Sequence, residues 1–266
     1  MALCFRKFFV QPIYGLVMGV LVGGVAQVVI HLPILKKHHL SPRFDFQKHP
    51  ALEKMSKLFW PSCYGAAIYQ FHVLLITALA TFLPAGSVSW LWYADRLFQF
   101  PLGLVTIAMA TVLLPTLSIQ AQSIATLEGR QKLKETLSFS MKTTLALIIP
   151  ATLGLIVLAK PIVKLLFEHG QFGPNDVIGT QKVLIMTAIG LPFVSISKLL
   201  SQVFLSLQQP KILLKASNLS VALHILFSVI LIKPLASQGL ALALSLSAIG
   251  HAGELGYRLK TSFKSI

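Results

Sequence analysis

Residues Val88–Ser118 read VSWLWYADRLFQFPLGLVTIAMATVLLPTLS, an apolar run longer than the about 20 residues a helix needs to cross a hydrocarbon core about 30 Å thick. Asp95, Arg96, Gln99 and Pro101 interrupt it. A run of this length with a proline inside is expected to be kinked or partly interfacial. An arginine within it is costly in lipid and by default marks a substrate or ion path. Either Asp95 or a residue of another span neutralises Arg96, or it snorkels to the interface, or it meets an anionic ligand.

The whole chain shares this character. Of 266 residues 55% are hydrophobic and 12% charged, with a mean hydropathy of +0.76, against about 25% charged in an ordinary soluble domain. A soluble fold is thereby excluded, and an all-α polytopic transmembrane bundle of about seven spans is expected. The net charge of +15 is explained by basic loops that set orientation and meet anionic headgroups, so no nucleic acid partner is expected. Cys4 and Cys63 form no disulfide framework, and the eight histidines are scattered, with His38 and His39 adjacent in a basic loop. Neither pattern converges on a metal. No metal or cofactor is expected.

Working outward, the apolar stretches run at about Phe8–Leu32, Leu58–Leu83, Val88–Ser118, Thr136–Ala159, Val177–Leu207, Ile212–Ile232 and Leu240–Tyr257. The first carries Gly15, Gly19, Gly23 and Gly24, small residues that permit close helix approach. Pro84-Ala85-Gly86 leaves so little chain that the second and third spans should form a hairpin. Pro150 lies within the fourth, where neighbouring helices can satisfy the freed carbonyl. Lys160–Asp176 reads as a Gly and Pro punctuated connection in which Asn175 or Asp176 could cap the next helix. Residues 1–57 form a single span with a basic loop, and 58–266 a six-span bundle.

Basic residues fall unevenly on alternate connections. One side holds Lys36, Lys37, Arg43, Lys48, Lys54 and Lys57, then Arg130, Lys132 and Lys134, then Lys211 and Lys215, then Arg258, Lys260 and Lys264. The other holds Arg6, Lys7, Lys160, Lys164 and Lys233. The N-terminus is therefore expected outside and the C-terminus in the cytoplasm. Arg6 and Lys7 sit on the wrong flank for such a start, and no signal-peptide cleavage site follows the first apolar region.

Successive helical residues point about 100° apart, so Asp95 and Arg96 are poorly placed as a mutual pair, whereas Arg96 shares a face with Gln99 or Phe100. Arg96 is thus available to phosphate or carboxylate oxygens through its paired donors. Lys182, Lys198, His72, His224 and Glu254 occur singly within apolar segments and read as snorkelling or packed side chains. Trp90, Trp92 and Tyr93 read as membrane-interface aromatics. No catalytic constellation is legible, so no enzyme is expected.

Ser87 through Leu97 (SVSWLWYADRL), followed by Gln99-Phe100-Pro101-Leu102-Gly103 and Thr111-Val112-Leu113-Leu114-Pro115-Thr116-Leu117-Ser118, resembles the signature of the MurJ (MviN) family of the MOP exporter superfamily. Further likeness covers Tyr14 to Gln27, Leu35-Lys36-Lys37, Pro61 to Gln70 and Phe167 to Thr180. The resemblance implies a bacterial inner-membrane flippase for lipid II, the undecaprenyl-diphosphate-linked peptidoglycan precursor used in cell wall synthesis. Family members have about fourteen spans in two lobes, and this chain resembles roughly the sixth to twelfth, the end of the amino lobe and most of the carboxy lobe. The sixth runs inward, in agreement with the charge count.

By the same resemblance Arg96 faces the central cavity as the required arginine of the Ala-Asp-Arg-Leu motif, preceded by Asp95. Gln99 stands where many members carry Glu, and Ile76 precedes Thr77 where many carry Asp or Asn, which disfavours a sodium site. The substrate-binding residues expected are therefore Arg96, Asp95 and Gln99. The partners expected are lipid II, membrane lipids and a separate chain supplying the amino-terminal helices. The alternative is a non-transporting truncated protein, because transport of this type rocks one bundle against another.

Overall fold

The computed structural model of the chain describes residues 12–37, 70, 73–124 and 126–265, and every regular element among them is helical. The first span's basic flank at Arg6 and Lys7, most of the basic loop, Cys4, Cys63, His72 and nearly all of Pro61–Gln70 lie outside the described residues. The chain divides into two units, Met1–Leu58 and Phe59–Ile266. In the first, α1 (Pro12–Lys37) holds the apolar stretch Val17–Pro33. The space a Cβ would take at Gly23 or Gly24 is open, so no described residue packs on the helix at these two positions.

The second unit begins with helical residues 73–81 and a tight turn. Leu83 N–H donates to Ala80 O, and Ser87 N–H to Pro84 O, at 3.2 and 3.1 Å. Gly86 then caps α2 (Ser87–Pro101) with φ 95°, a left-handed conformation that glycine adopts without steric cost. Beyond Pro101 the backbone widens into a π-helical segment, Leu102–Ile107, before α3 (Ala108–Ala121). The long apolar run is thus one continuous helix with a local change of winding rather than a sharp kink.

α4 (Leu127–Val157) begins ahead of its apolar part because Thr126 caps it, its hydroxyl accepting from Gly129 N–H at 3.1 Å. It continues unbroken through Pro150. A short helix, α5 (Ala159–Phe167), follows where the sequence reads as connection. Pro161 hides it from a composition reading, yet in the first helical turn a proline sacrifices no intrahelical bond. Ala159 and Val163 are buried while Lys160 and Lys164 stay exposed, the pattern of a helix lying against a surface.

α6 (Pro174–Ala188) and α7 (Leu191–Ser206) form one bent pair with a 45° break. α8 (Pro210–Ser265) is broken at Ala236, whose φ of 49° and ψ of −127° follow Pro234. That break falls inside the expected Lys233–Gly239 connection between the sixth and seventh spans. Among the described residues three stretches, Ser87–Ala121, Leu127–Val157 and Pro210–Thr261, are long and apolar enough to cross a membrane, and the bent pair makes a fourth.

Between lipid-exposed helices the hydrophobic effect gives little drive, so packing and small residues hold the bundle. One buried cluster joins Leu113 and Leu117 of α3, Leu133 of α4, Phe204 of α7 and Leu255 of α8. A second joins Leu97 of α2, Val163 of α5, Val183 and Leu184 of α6 and Ala241 of α8. Phe98, Leu102, Ile148 and Leu191 form a third. In the π segment, buried Thr106 donates to Ser195 Oγ of α7 at 2.8 Å, and Ser195 donates onward to Leu191 O at 2.9 Å.

Trp90 and Tyr93 tie α2 to the approach to α6. Trp90 Nε1–H donates to Asp176 Oδ1 at 2.8 Å, and the other carboxylate oxygen of Asp176 accepts from Gly173 N–H at 3.0 Å. Asp176 therefore reaches back from the first turn of α6, whose N-cap is Gly173, rather than standing at the cap itself. Tyr93 lies 4.7 Å from Phe167 and 5.0 Å from Phe172, ring centre to ring centre. Trp90→Phe keeps an aromatic ring but loses half of the indole and its bond to a charged acceptor, the bond alone about 1.5 kcal/mol. Thermal unfolding in detergent is expected to fall by a few degrees, and an unchanged midpoint would show that the bond contributes nothing.

Candidate functional site

A cavity of about 310 Å³ opens beside α2 in the second unit. Helical residues 73–81 contribute Val73, Ile76, Thr77 and Ala80, α6 contributes Thr187, and α8 contributes His224, Leu240, Ala241 and Leu244. From α2 come Val88, Leu91, Trp92, Asp95, Arg96 and Gln99. Their spacing of three and four residues is that of one helix face, so the three residues singled out from the sequence open onto a common space.

Within that space the three play different parts. Gln99 Nε2 donates to Asp95 Oδ2 at 2.7 Å, one turn apart on α2. The guanidinium of Arg96 instead lies over the Trp92 ring, 5.6 Å from its centroid. Among the described residues no carboxylate comes within ion-pairing distance of Arg96. Stacking on an aromatic face orients a planar guanidinium and leaves its edge donors directed elsewhere. Such an edge suits paired anionic oxygens.

The remaining wall is mostly apolar. Ile76 adds a hydrocarbon side chain beside Thr77, whose hydroxyl donates to Val73 O at 2.8 Å. Thr187 donates to Val183 O at 2.9 Å. Both hydroxyls spend their hydrogens on their own helices and offer only lone pairs to the cavity. His224 is buried on the α8 side. Thr77, Thr187 and His224 come from separate helices, and no spacing in the sequence brings them to Arg96.

The other polar residues noted within apolar segments lie elsewhere. Lys182 and Lys198 are exposed, and Glu254 accepts from Arg258 Nε at 2.8 Å. Trp92 alone of the three early aromatics lines the cavity.

Comparison with known proteins places this arrangement. The probable lipid II flippase MurJ of Vibrio cholerae is 36% identical over 243 residues, 90% of this chain and 45% of that protein. The probable lipid II flippase MurJ of Helicobacter pylori J99 is 34% identical over 262 residues, 92% of this chain and 56% of that protein. A solved structure of lipid II flippase MurJ in an inward closed conformation superposes with a TM-score of 0.77 at 26% identity, covering 97% of this chain and 53% of that one. A point mutant of the MATE transporter VcmN of Vibrio cholerae shares the fold alone, with a TM-score of 0.75 at 15% identity over 98% of this chain and 58% of that one. The chain spans about half the length of the curated relatives it matches. A family model described as lipid II flippase MurJ matches residues 1–266 from end to end, and the chain belongs to that family.

Proposed function

We propose that this chain is the carboxy-lobe part of a lipid II flippase, moving the undecaprenyl-diphosphate-linked peptidoglycan precursor across the bacterial inner membrane, and that it is a transporter rather than an enzyme. The carrying observation is Arg96: a guanidinium inside an apolar span, opening onto a cavity, stacked on Trp92 and without a carboxylate partner among the described residues. An intramembrane arginine so placed is matched by an anionic ligand, and the diphosphate supplies one. Asp95 and Gln99, joined to each other, line the same wall and set its polarity.

Residues 1–57 correspond on this reading to the end of the amino lobe and 58–266 to the carboxy lobe. The basic residues orient the N-terminus outward and the C-terminus toward the cytoplasm. Further polypeptide, in the same or a separate chain, supplies the rest of the cavity wall, because alternating access needs two bundles to rock about a midplane site. Membrane lipids fill the remaining apolar surface.

The test is complementation. The chain is co-expressed with the amino-terminal half of a full-length relative in cells depleted of their own flippase, and growth and lipid II export are followed. Restored growth is the expected result. Absence of rescue with both parts inserted at normal levels would leave a non-transporting membrane protein.

A further inference from the structure

A second feature lies away from the Arg96 cavity. Between α4 and the end of α8 runs a groove of about 480 Å³ with Leu137, Leu145 and Leu259 along it. Lys134, Lys142 and Lys260 stand on its walls. Lys134 and Lys260 belong to the connections that the charge distribution assigns to the cytoplasm, whereas Lys142 sits two turns further along α4, inside its apolar part.

The groove has the dimensions and charge of a lipid site. From Lys134 to Leu145 the helix rises about 16 Å at 1.5 Å per residue, close to the about 15 Å of one leaflet of a hydrocarbon core. No acid lines it. Among the described residues Glu135 of α4 accepts from Gln131 Nε2 at 2.9 Å, and Glu254 of α8 from Arg258 Nε at 2.8 Å. An ammonium such as Lys142, held within an apolar segment, is costly unless it reaches the interface or an anion comes to it. Groove and lysines together match one molecule with an acyl chain and a negative headgroup.

We propose that this groove binds an anionic glycerophospholipid of the cytoplasmic leaflet, its acyl chain along Leu137 and Leu145 and its phosphate between Lys142 and Lys260. The assignment stands apart from the flippase reading, since it uses neither Arg96 nor its cavity.

Native mass spectrometry of the full chain in detergent tests it, with phosphatidylglycerol and phosphatidylcholine of identical acyl chains as probes. Phosphatidylglycerol is expected to be retained in preference. The double variant K142Q/K260Q should lose that retention by on the order of tenfold, while K142R/K260R keeps it and controls for folding. Leu145→Trp, which fills the groove and leaves the charges, should displace both lipids. A photo-crosslinking residue at exposed Ser138, which also lines the groove, should yield a phospholipid adduct. Equal retention of the two lipids, or undiminished retention in K142Q/K260Q, would overturn the proposal. So would a polypeptide adduct at Ser138, which would make the groove a protein-docking surface.

Discussion

Arg96→Ala is expected to abolish lipid II export in the two-part complementation assay while the chain still inserts at its normal level. The guanidinium offers two parallel donors to a diphosphate, and two charge-assisted bonds at about 1.5 kcal/mol each amount to roughly a hundredfold in affinity. Arg96→Lys keeps the charge but loses the planar fork and the stack on Trp92, so partial rescue is expected. Growth of the Ala variant equal to the parent at equal expression would rule out Arg96 as the anion contact. The folding of α2 should be little disturbed, because Arg96 is exposed to the cavity and lies outside the buried clusters.

Gly190→Ala is expected to lower stability strongly. A Cβ built there would stand 2.7 Å from Ser245 Oγ and 2.8 Å from Ser245 Cα. The second of these is backbone, which no rotamer change can move. Ser245 also donates to Met186 O at 2.6 Å and so pins α8 against the bend between α6 and α7. The added methyl must push the helices apart, an overpacking cost of about 1–3 kcal/mol, with a membrane-type hydrogen bond of about 1 kcal/mol weakened besides. A drop of about 5 °C or more in the unfolding midpoint is expected. An unchanged midpoint would mean that the crossing has slack. Thr187 and Leu244, neighbours of this crossing, line the Arg96 cavity, so export should fall with stability.

The helical class was legible because long apolar runs in this chain are punctuated by charge, proline and glycine, and so was the break after Pro234; the start of α4 at Leu127 and the bend between α6 and α7 were not. The common face of Asp95, Arg96 and Gln99 followed from their spacing, and so did the poor geometry of an Asp95–Arg96 pair. What the spacing could not give was tertiary. Trp92, by contrast, stands four residues before Arg96 on the same helix, so its place beneath the guanidinium was within reach of the spacing although it read as an interface marker. Thr77, Thr187 and His224 reach the cavity from three other elements, and no spacing within one helix brings them together. α5 was missed because Pro161 resembles a breaker and nine residues give too little periodicity to outweigh it. An acid at the N-cap accepts from N–H groups in the first turn and one at the third helical position reaches back to the N–H of the cap residue, as Asp176 does to Gly173; both favour an acid near the start, so the register was open by one turn.

The widened segment at Leu102–Ile107 sets the phase of everything before it against everything after it. A π turn holds more residues per revolution than an α turn, so the segment works as a spacer that lets the Arg96 face look into the cavity while Leu113 and Leu117 look into the bundle. Were those six residues wound as plain α-helix instead, the run would turn about one residue further and rotate its two halves by about 100° relative to each other. Every side chain of the cavity wall would still be encoded, yet the guanidinium would be aimed at lipid or at packed leucines. In this span it is the winding of six residues far from the charge that keeps the charge where it can be used.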